Sequence, residues 1–176
     1  MNPILIVKSR KPAIILKAGL EKLFYPRLRQ FDAIKGLFSQ KAGIEIGGPS
    51  LFFSSKGFLP IYDVAQKVDG CNFSSETVWE GSITQGNNYA YATGKTGYQF
   101  ICDGVDVPVI PVNTYDFVLS CNNLEHIANP LKAISNWLKL LKEQGSIVLV
   151  LPKKESNFDH KRPITKIEHL LNDYNK

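Results

Sequence analysis

AGIEIGGPS, residues 42–50, is the stretch on which the fold turns. A short apolar run carries one acid, Glu45, and breaks at Gly47-Gly48-Pro49. In an α/β protein a first parallel strand ends in this way and a ligand-binding turn begins. Glycines let the backbone approach a ligand closely, and a following helix can present free N–H groups there. The same turn also ends many strands for purely structural reasons, so the flanking sequence decides between the two.

Downstream, the pattern sharpens from Tyr98. Tyr98–Cys102 reads as a strand with Asp103-Gly104 at its end. Tyr115–Cys121, YDFVLSC, is a near-continuous apolar run, as expected for a strand covered on both faces. Asn129-Pro130 opens a helix, since Asn caps and Pro suits the first helical position. Leu131, Ile134, Leu138 and Leu141 form its buried stripe, and Gly145 closes it. The strand Ile147–Leu151 follows, stopped by Pro152, so strand, helix and strand make a right-handed βαβ unit. Thr165-Lys166-Ile167-Glu168 has the form of a capping box before one last short helix.

Between these parts, a second strand surrounds Val68 and ends at Asp69. Residues 70–97 are rich in Asn, Ser, Thr and Gly with scattered aromatics, which suits a functional lid or a surface hairpin equally. Upstream, Leu20, Leu23, Phe24, Leu28, Phe31, Ile34, Leu37 and Phe38 recur at helical spacing, predicting an amphipathic helix over 13–38 that Pro26 kinks or divides. The expected organisation is a basic amphipathic helical arm over 1–40 and an α/β domain over 41–176.

The composition supports a globular chain. Its 176 residues are 44% apolar and 21% charged, enough for one domain with a real core. The three cysteines, Cys71, Cys102 and Cys121, are widely spaced, with neither metal-ligand spacing nor a disulfide framework, so the cytoplasm is the simplest setting. Apolar runs stay far below the roughly 20 residues needed to span a bilayer. Lys8, Arg10, Lys11 and Pro12 interrupt the N-terminal apolar pieces and argue against a signal peptide. The net charge of +5 is uneven: residues 1–41 hold nine Lys/Arg against two acids, and residues 42–176 hold twelve against fourteen. The basic arm suits a solvated helical face or a peripheral contact with an anionic membrane; no dense basic run favours nucleic acid.

Four polar features fall at predicted strand ends, where parallel α/β sheets bind ligands: Glu45 with Gly47-Gly48, Asp69, Asp103, and Asn122–His126. Asp69 lies 22 residues after Gly47, near the spacing at which nucleotide folds place an acid on a ribose hydroxyl. A nicotinamide-dependent dehydrogenase shares this logic, but no G-x-G-x-x-G follows the first strand.

Three strings, GIEIGGPS, YDFVLSCNNLEHIANPLKAISNWLKLLKEQGSIVLVLP and FDHKRPITKIEHLL, resemble the class I S-adenosylmethionine-dependent methyltransferases of the broad type-11 kind over roughly residues 40–174. A subgroup with EIGGPS and FDHxRPxT…EHL is the best resemblance, and it implies a small-molecule or glycan acceptor, such as a surface-polymer precursor. The resemblance implies a Rossmann-like, mainly parallel sheet with flanking helices and S-adenosylmethionine as cofactor. It places Glu45, Gly47 and Gly48 near the methionine part, Asp69 on the ribose, and Asp103 with Gly104 at the adenine. Asn122, Leu124 and Glu125 line the pocket, and no metal is involved. His126 is a candidate general base, since its ordinary pKa lies near neutrality, or else a structural histidine beneath the helix. Asp159, His160 and Arg162 approach the acceptor site or brace the chain after the fifth strand.

Two features depart from the family. The first turn reads E-I-G-G-P-S in place of E-x-G-x-G-x-G, and only about twenty-four residues follow Pro152, so strands 6 and 7 of the family pattern are expected to be lacking. This implies a minimal member, a truncated non-catalytic binding protein, or a chain completed by homodimerisation.

Overall fold

The computed structural model describes residues 27–77, 81–157 and 160–175. A six-stranded sheet dominates, built from β1 (Ala42–Ile46), β2 (Lys67–Asn72), β5 (Gly86–Ala92), β6 (Lys95–Ile101), β7 (Tyr115–Cys121) and β8 (Leu141–Val150). Its order is β5-β6-β2-β1-β7-β8. Every neighbouring pair runs parallel except β5 with β6, a hairpin that adds one antiparallel edge. This is a Rossmann-like α/β sheet whose carboxyl ends gather on one side. A separate two-stranded ribbon, β3 (Glu76–Thr77) with β4 (Gly81–Ser82), sits between β2 and β5.

Residues 70–97 are thus a ribbon and a hairpin. The hairpin belongs to the core, because Tyr89 and Tyr91 are buried. Tyr89 also explains why β2 runs three residues past Asp69. A side chain at Gly70 would meet the Tyr89 ring at 2.2 Å, so this glycine is a packing site inside the strand and not its end.

Alternation along the strands divides the core. On one face lie Phe53, Tyr62, Val68, Tyr89, Phe117 and Leu119; on the other lie Ile44, Ile46, Cys71, Val118, Trp137 and Leu140. Helix α1 (Phe31–Ile34), followed by a 3₁₀ turn over Lys35–Leu37, joins the first face through Phe31 and Phe38. Phe38 meets Phe117 edge-on at 5.3 Å between ring centroids. The long helix expected over 13–38 is not continuous here. Its described portion is these two short turns, and residues 1–26, including Pro26, lie outside the described residues. Helix α2 (Ile61–Val64) covers the same face through Ile61 and Tyr62.

Helix α3 (Pro130–Leu140) covers the second face. Asn129 caps it, its Oδ1 accepting from Lys132 N–H at 3.1 Å, with Pro130 at the first position. Ala133, Trp137 and Leu140 face inward. The helix stops five residues before Gly145, because Leu141 turns extended and enters the core at the start of β8. Tyr115 then pairs with Leu141 but Phe117 with Ser146, so residues 142–145 loop out of register, with Gln144 at φ 65.

Among the described residues, a 3₁₀ turn at Lys154–Ser156 and helix α4 (Ile167–Tyr174) follow β8. β6 and β7, counted along the chain, are the third and fourth of the parallel strands. Thr165 does not cap α4: the N-cap is Lys166, with no side-chain bond. Instead Asn129 Nδ2 donates to the Asp173 carbonyl at 2.6 Å and ties α4 to the start of α3. No described helix is long and apolar enough to cross a membrane.

Candidate functional site

At the carboxyl ends of β1, β2, β6 and β7 the sheet opens into a cavity of about 810 Å³. Ile46, Gly47 and Pro49 form its floor, Cys71 and Phe73 one wall, and Asp103, Gly104 and Val105 the next. Asn122, Asn123, His126 and Ile127 close it. The size falls in the usual range for small-molecule sites, and the wall mixes apolar surface with a few polar groups that can orient a ligand.

The first turn is held from below and beside. Gly47 has φ +84, and a side chain there would meet the Asn123 side chain at 2.6 Å. Its N–H donates to the Cys71 carbonyl at 2.8 Å. Asn72 Nδ2 donates to the Gly48 carbonyl at 2.9 Å, fastening the turn to the end of β2. The Gly48–Pro49 peptide is cis. The unusual glycine spacing thus makes a turn packed tightly between Asn123 and the residues below the sheet.

Glu45 is one of those residues. It alternates to the face opposite Ile46, so its side chain does not line the cavity but lies fully buried beneath the turn. Tyr62 and Tyr89 both donate to its Oε2, the latter at 2.8 Å, and the Tyr62 oxygen accepts from Ser50 N–H at 2.9 Å. Gly48 lies against this carboxyl, since a side chain there would come within 2.2 Å of the Glu45 carboxyl carbon. Burial raises the Glu45 pKa, outweighing the hydrogen bonds it accepts from Tyr62 and Tyr89. Burial and the nearby Glu45 also push both tyrosines upward.

Asp69 departs furthest from its expected place. It lies mid-strand, opposite Ile44, and does not line the cavity. Its carboxylate accepts from Tyr98 N–H at 2.7 Å and Tyr115 O–H at 2.9 Å, and it pairs with Lys67 at 2.8 Å. These bonds join β2, β6 and β7, which is a bracing role. Leu124 likewise turns into the core, 7% exposed.

Asp103 and Gly104 do meet at the cavity. Asp103 Oδ1 accepts from Val105 N–H at 2.7 Å, and Trp137 Nε1 donates to the Gly104 carbonyl at 2.6 Å. Helix α3 therefore sets this wall from behind. Among the described lining residues, Asp103 is the only acid. Cys71, with its sulfur 3.5 Å from that of Cys102, is pushed well above the ordinary thiol range by that contact and by burial.

A second cavity of about 640 Å³ shares Asn122 and His126 with the first. Glu125, Lys154, Asn157 and Arg162 line it, with Pro152, Pro163 and Thr165. His126 stands at the junction, its side chain 69% exposed and its Nε2 3.9 Å from Glu125 Oε1. It is thus an accessible group on the Leu124–His126 turn, not one packed beneath a helix. His160 lies outside the lining, and Asp159 lies outside the described residues. Asn72 and Phe73 were not read from the sequence as site residues, and Asn123 entered only as part of the Asn122–His126 segment. A strand ending at Asn72 in place of Asp69 would have pointed to the first two.

Among curated proteins, no sequence matches this chain. The fold is similar to that of a SAM-dependent methyltransferase from Aquifex aeolicus, with a TM-score of 0.52 and 17% identity over 96% of this chain and 80% of that one. A protein of Bacillus halodurans C-125 named as a methyltransferase aligns with a TM-score of 0.54 and 14% identity over 73% of this chain, which spans 52% of that protein. The [4+2]-cyclase SpnF shares the fold at a TM-score of 0.50 and 18% identity, over 84% of this chain and 56% of its own. At such identities the likeness shows the fold alone, and SpnF illustrates that one fold hosts different chemistries. The model of a methyltransferase domain matches residues 60–149. That is just over half of the chain, which therefore belongs to the methyltransferase domain family.

Proposed function

We propose that the protein transfers a methyl group from S-adenosylmethionine, held in the first cavity, to an acceptor in the second. The observation that carries this reading is the 810 Å³ cavity at the carboxyl ends of β1, β2, β6 and β7, opening beside a second cavity across Asn122 and His126. Its lining suits the cofactor. Gly47 and Asn123 would flank the methionine end, and Asp103, one of whose carboxylate oxygens accepts from Val105 N–H, would meet the adenine amino group. Val105, Ile127 and the exposed ring of Phe73 supply apolar surface for the base. Glu45, Asn72 and Asp69 act beneath, holding the turn and the strand ends in place.

When bound, the cofactor supplies an already activated methyl group, so alignment and exclusion of water can account for much of the acceleration. The chain's own task is to hold donor and acceptor in line. His126, at the junction, is placed to accept a proton from a hydroxyl acceptor as the new bond forms. The acceptor is a small molecule or a glycan. Calorimetry with S-adenosylhomocysteine tests the reading. Saturable one-to-one binding by the folded protein is expected, and its absence would remove the cofactor from the first cavity. Methyl transfer from labelled cofactor into cell extract then separates an enzyme from a non-catalytic binding protein.

A further inference from the structure

The second cavity has a charge pattern that the methyl donor does not require. Residues 150–166, which connect β8 to α4, hold Lys153, Lys154, Lys161, Arg162 and Lys166 against Glu155 and Asp159. Residues 42–149 hold six Lys/Arg against ten Asp/Glu. The domain's positive charge is therefore concentrated in the connection that walls this cavity. Lys154 and Arg162 both line it. Glu125 is the one acid among the described lining residues, and it leans toward His126 at 3.9 Å. The remaining polar groups of the wall, Asn122, Asn157 and Thr165, can all donate hydrogen bonds. Pro152 and Pro163 stiffen the backbone on either side.

We propose that the second cavity selects an acceptor carrying an oxyanion, a phosphate or a carboxylate, and seats that group against Lys154 and Arg162. The proposal rests on the assignment of the first cavity to the methyl donor. A planar guanidinium presents paired donors that match either oxyanion, and an ammonium adds a point charge. With the anionic end held by Lys154 and Arg162, the remainder of the acceptor extends past Asn122 and His126 toward the donor. Specificity would then come from the anchor, leaving the reacting end to alignment.

The test uses the full chain saturated with S-adenosylhomocysteine, titrated at low ionic strength with inorganic phosphate and, separately, acetate, and followed by amide NMR shifts. Saturable shifts at residues lining the second cavity are expected with at least one of the two anions. Phosphate alone assigns a phosphate anchor, and acetate alone a carboxylate. The K154A/R162A variant should weaken that binding about tenfold or more, the scale of losing charge-assisted hydrogen bonds. Its affinity for S-adenosylhomocysteine should be unchanged, which also reports that it folds. Arg162→Lys should restore part of the loss, and neutralising Lys35, which is exposed on the turn after α1 and lines neither cavity, should change nothing. If neither anion binds, or both bind the double variant as tightly as the wild type, the proposal is overturned while the cofactor reading stands. If S-adenosylhomocysteine fails to bind, the cofactor reading falls, and the proposal with it.

Discussion

Replacing Glu45 separates its structural work from any contact with a ligand. The side chain is fully buried, accepts two tyrosine hydroxyls on Oε2, and has no partner for Oε1 among the described residues. Glu45→Ala leaves the Tyr62 and Tyr89 hydroxyls without their acceptor and opens a void beneath Gly48. Each stranded group costs ~1–3 kcal/mol, so a total loss of about 3–5 kcal/mol is expected. Glu45→Gln keeps an acceptor for both tyrosines and removes the titration, and its cost near pH 5 should stay within about 1 kcal/mol. The pH dependence follows from the direction of the shift. Because burial raises the folded-state pKa above the ordinary 4.5, the folded protein holds this proton more tightly than the unfolded chain. That contribution to stability is complete below the unfolded value and is lost as pH rises through the folded one. Urea denaturation at increasing pH from about the unfolded value of 4.5 should therefore show Glu45→Gln gaining on the wild type. Parallel curves, or a Glu45→Ala variant no less stable than Glu45→Gln, would refute the reasoning.

Other residues divide along the same line between bracing and binding. Asp69→Asn should lower stability by ~1–3 kcal/mol, since it weakens bonds to Tyr98, Tyr115 and Lys67, yet leave S-adenosylhomocysteine affinity within about twofold; Asp103→Ala should do the reverse, weakening binding about tenfold in calorimetry. Gly47→Ala forces a side chain onto φ +84 and into Asn123, and should cost ~1–3 kcal/mol in thermal denaturation together with a loss of cofactor affinity. His126→Asn should lower kcat on a hydroxyl acceptor by about a hundredfold or more.

The continuous apolar runs made β1 and β7 legible, because they report burial directly; the α3 helix lies where its pattern puts it, but its inward face is Ala133, Trp137 and Leu140, and Leu138 of the expected stripe Leu131, Ile134, Leu138 and Leu141 is 56% exposed. The Asn129-Pro130 start of α3 was legible too, since capping is local chemistry. What the sequence hid were features that depend on distant partners. From the sequence the second strand ends at Asp69, and only the ring of Tyr89, nineteen residues after Gly70, makes Gly70 a strand position. That misreading moved the strand end from Asn72 to Asp69 and with it the proposed ribose contact. The resemblance puts Glu45 near the methionine part of the cofactor, but its side chain bonds to Tyr62 and Tyr89 on the other face of the sheet, and alternation puts Ile46 and not Glu45 against the cavity. Likewise Gly145 resembles a helix stop, whereas the burial of Leu141 ends α3 earlier.

The central claim is that one cavity at the strand ends holds the methyl donor. A crystal structure of the complex with S-adenosylhomocysteine tests it most directly. The adenine is expected against Asp103–Val105, the amino-acid end over Gly47 and Asn123, and Asp69 still bonded to Tyr98 and Tyr115 within the sheet. A nucleoside bound elsewhere, or one whose ribose hydroxyls meet Asp69, would contradict it.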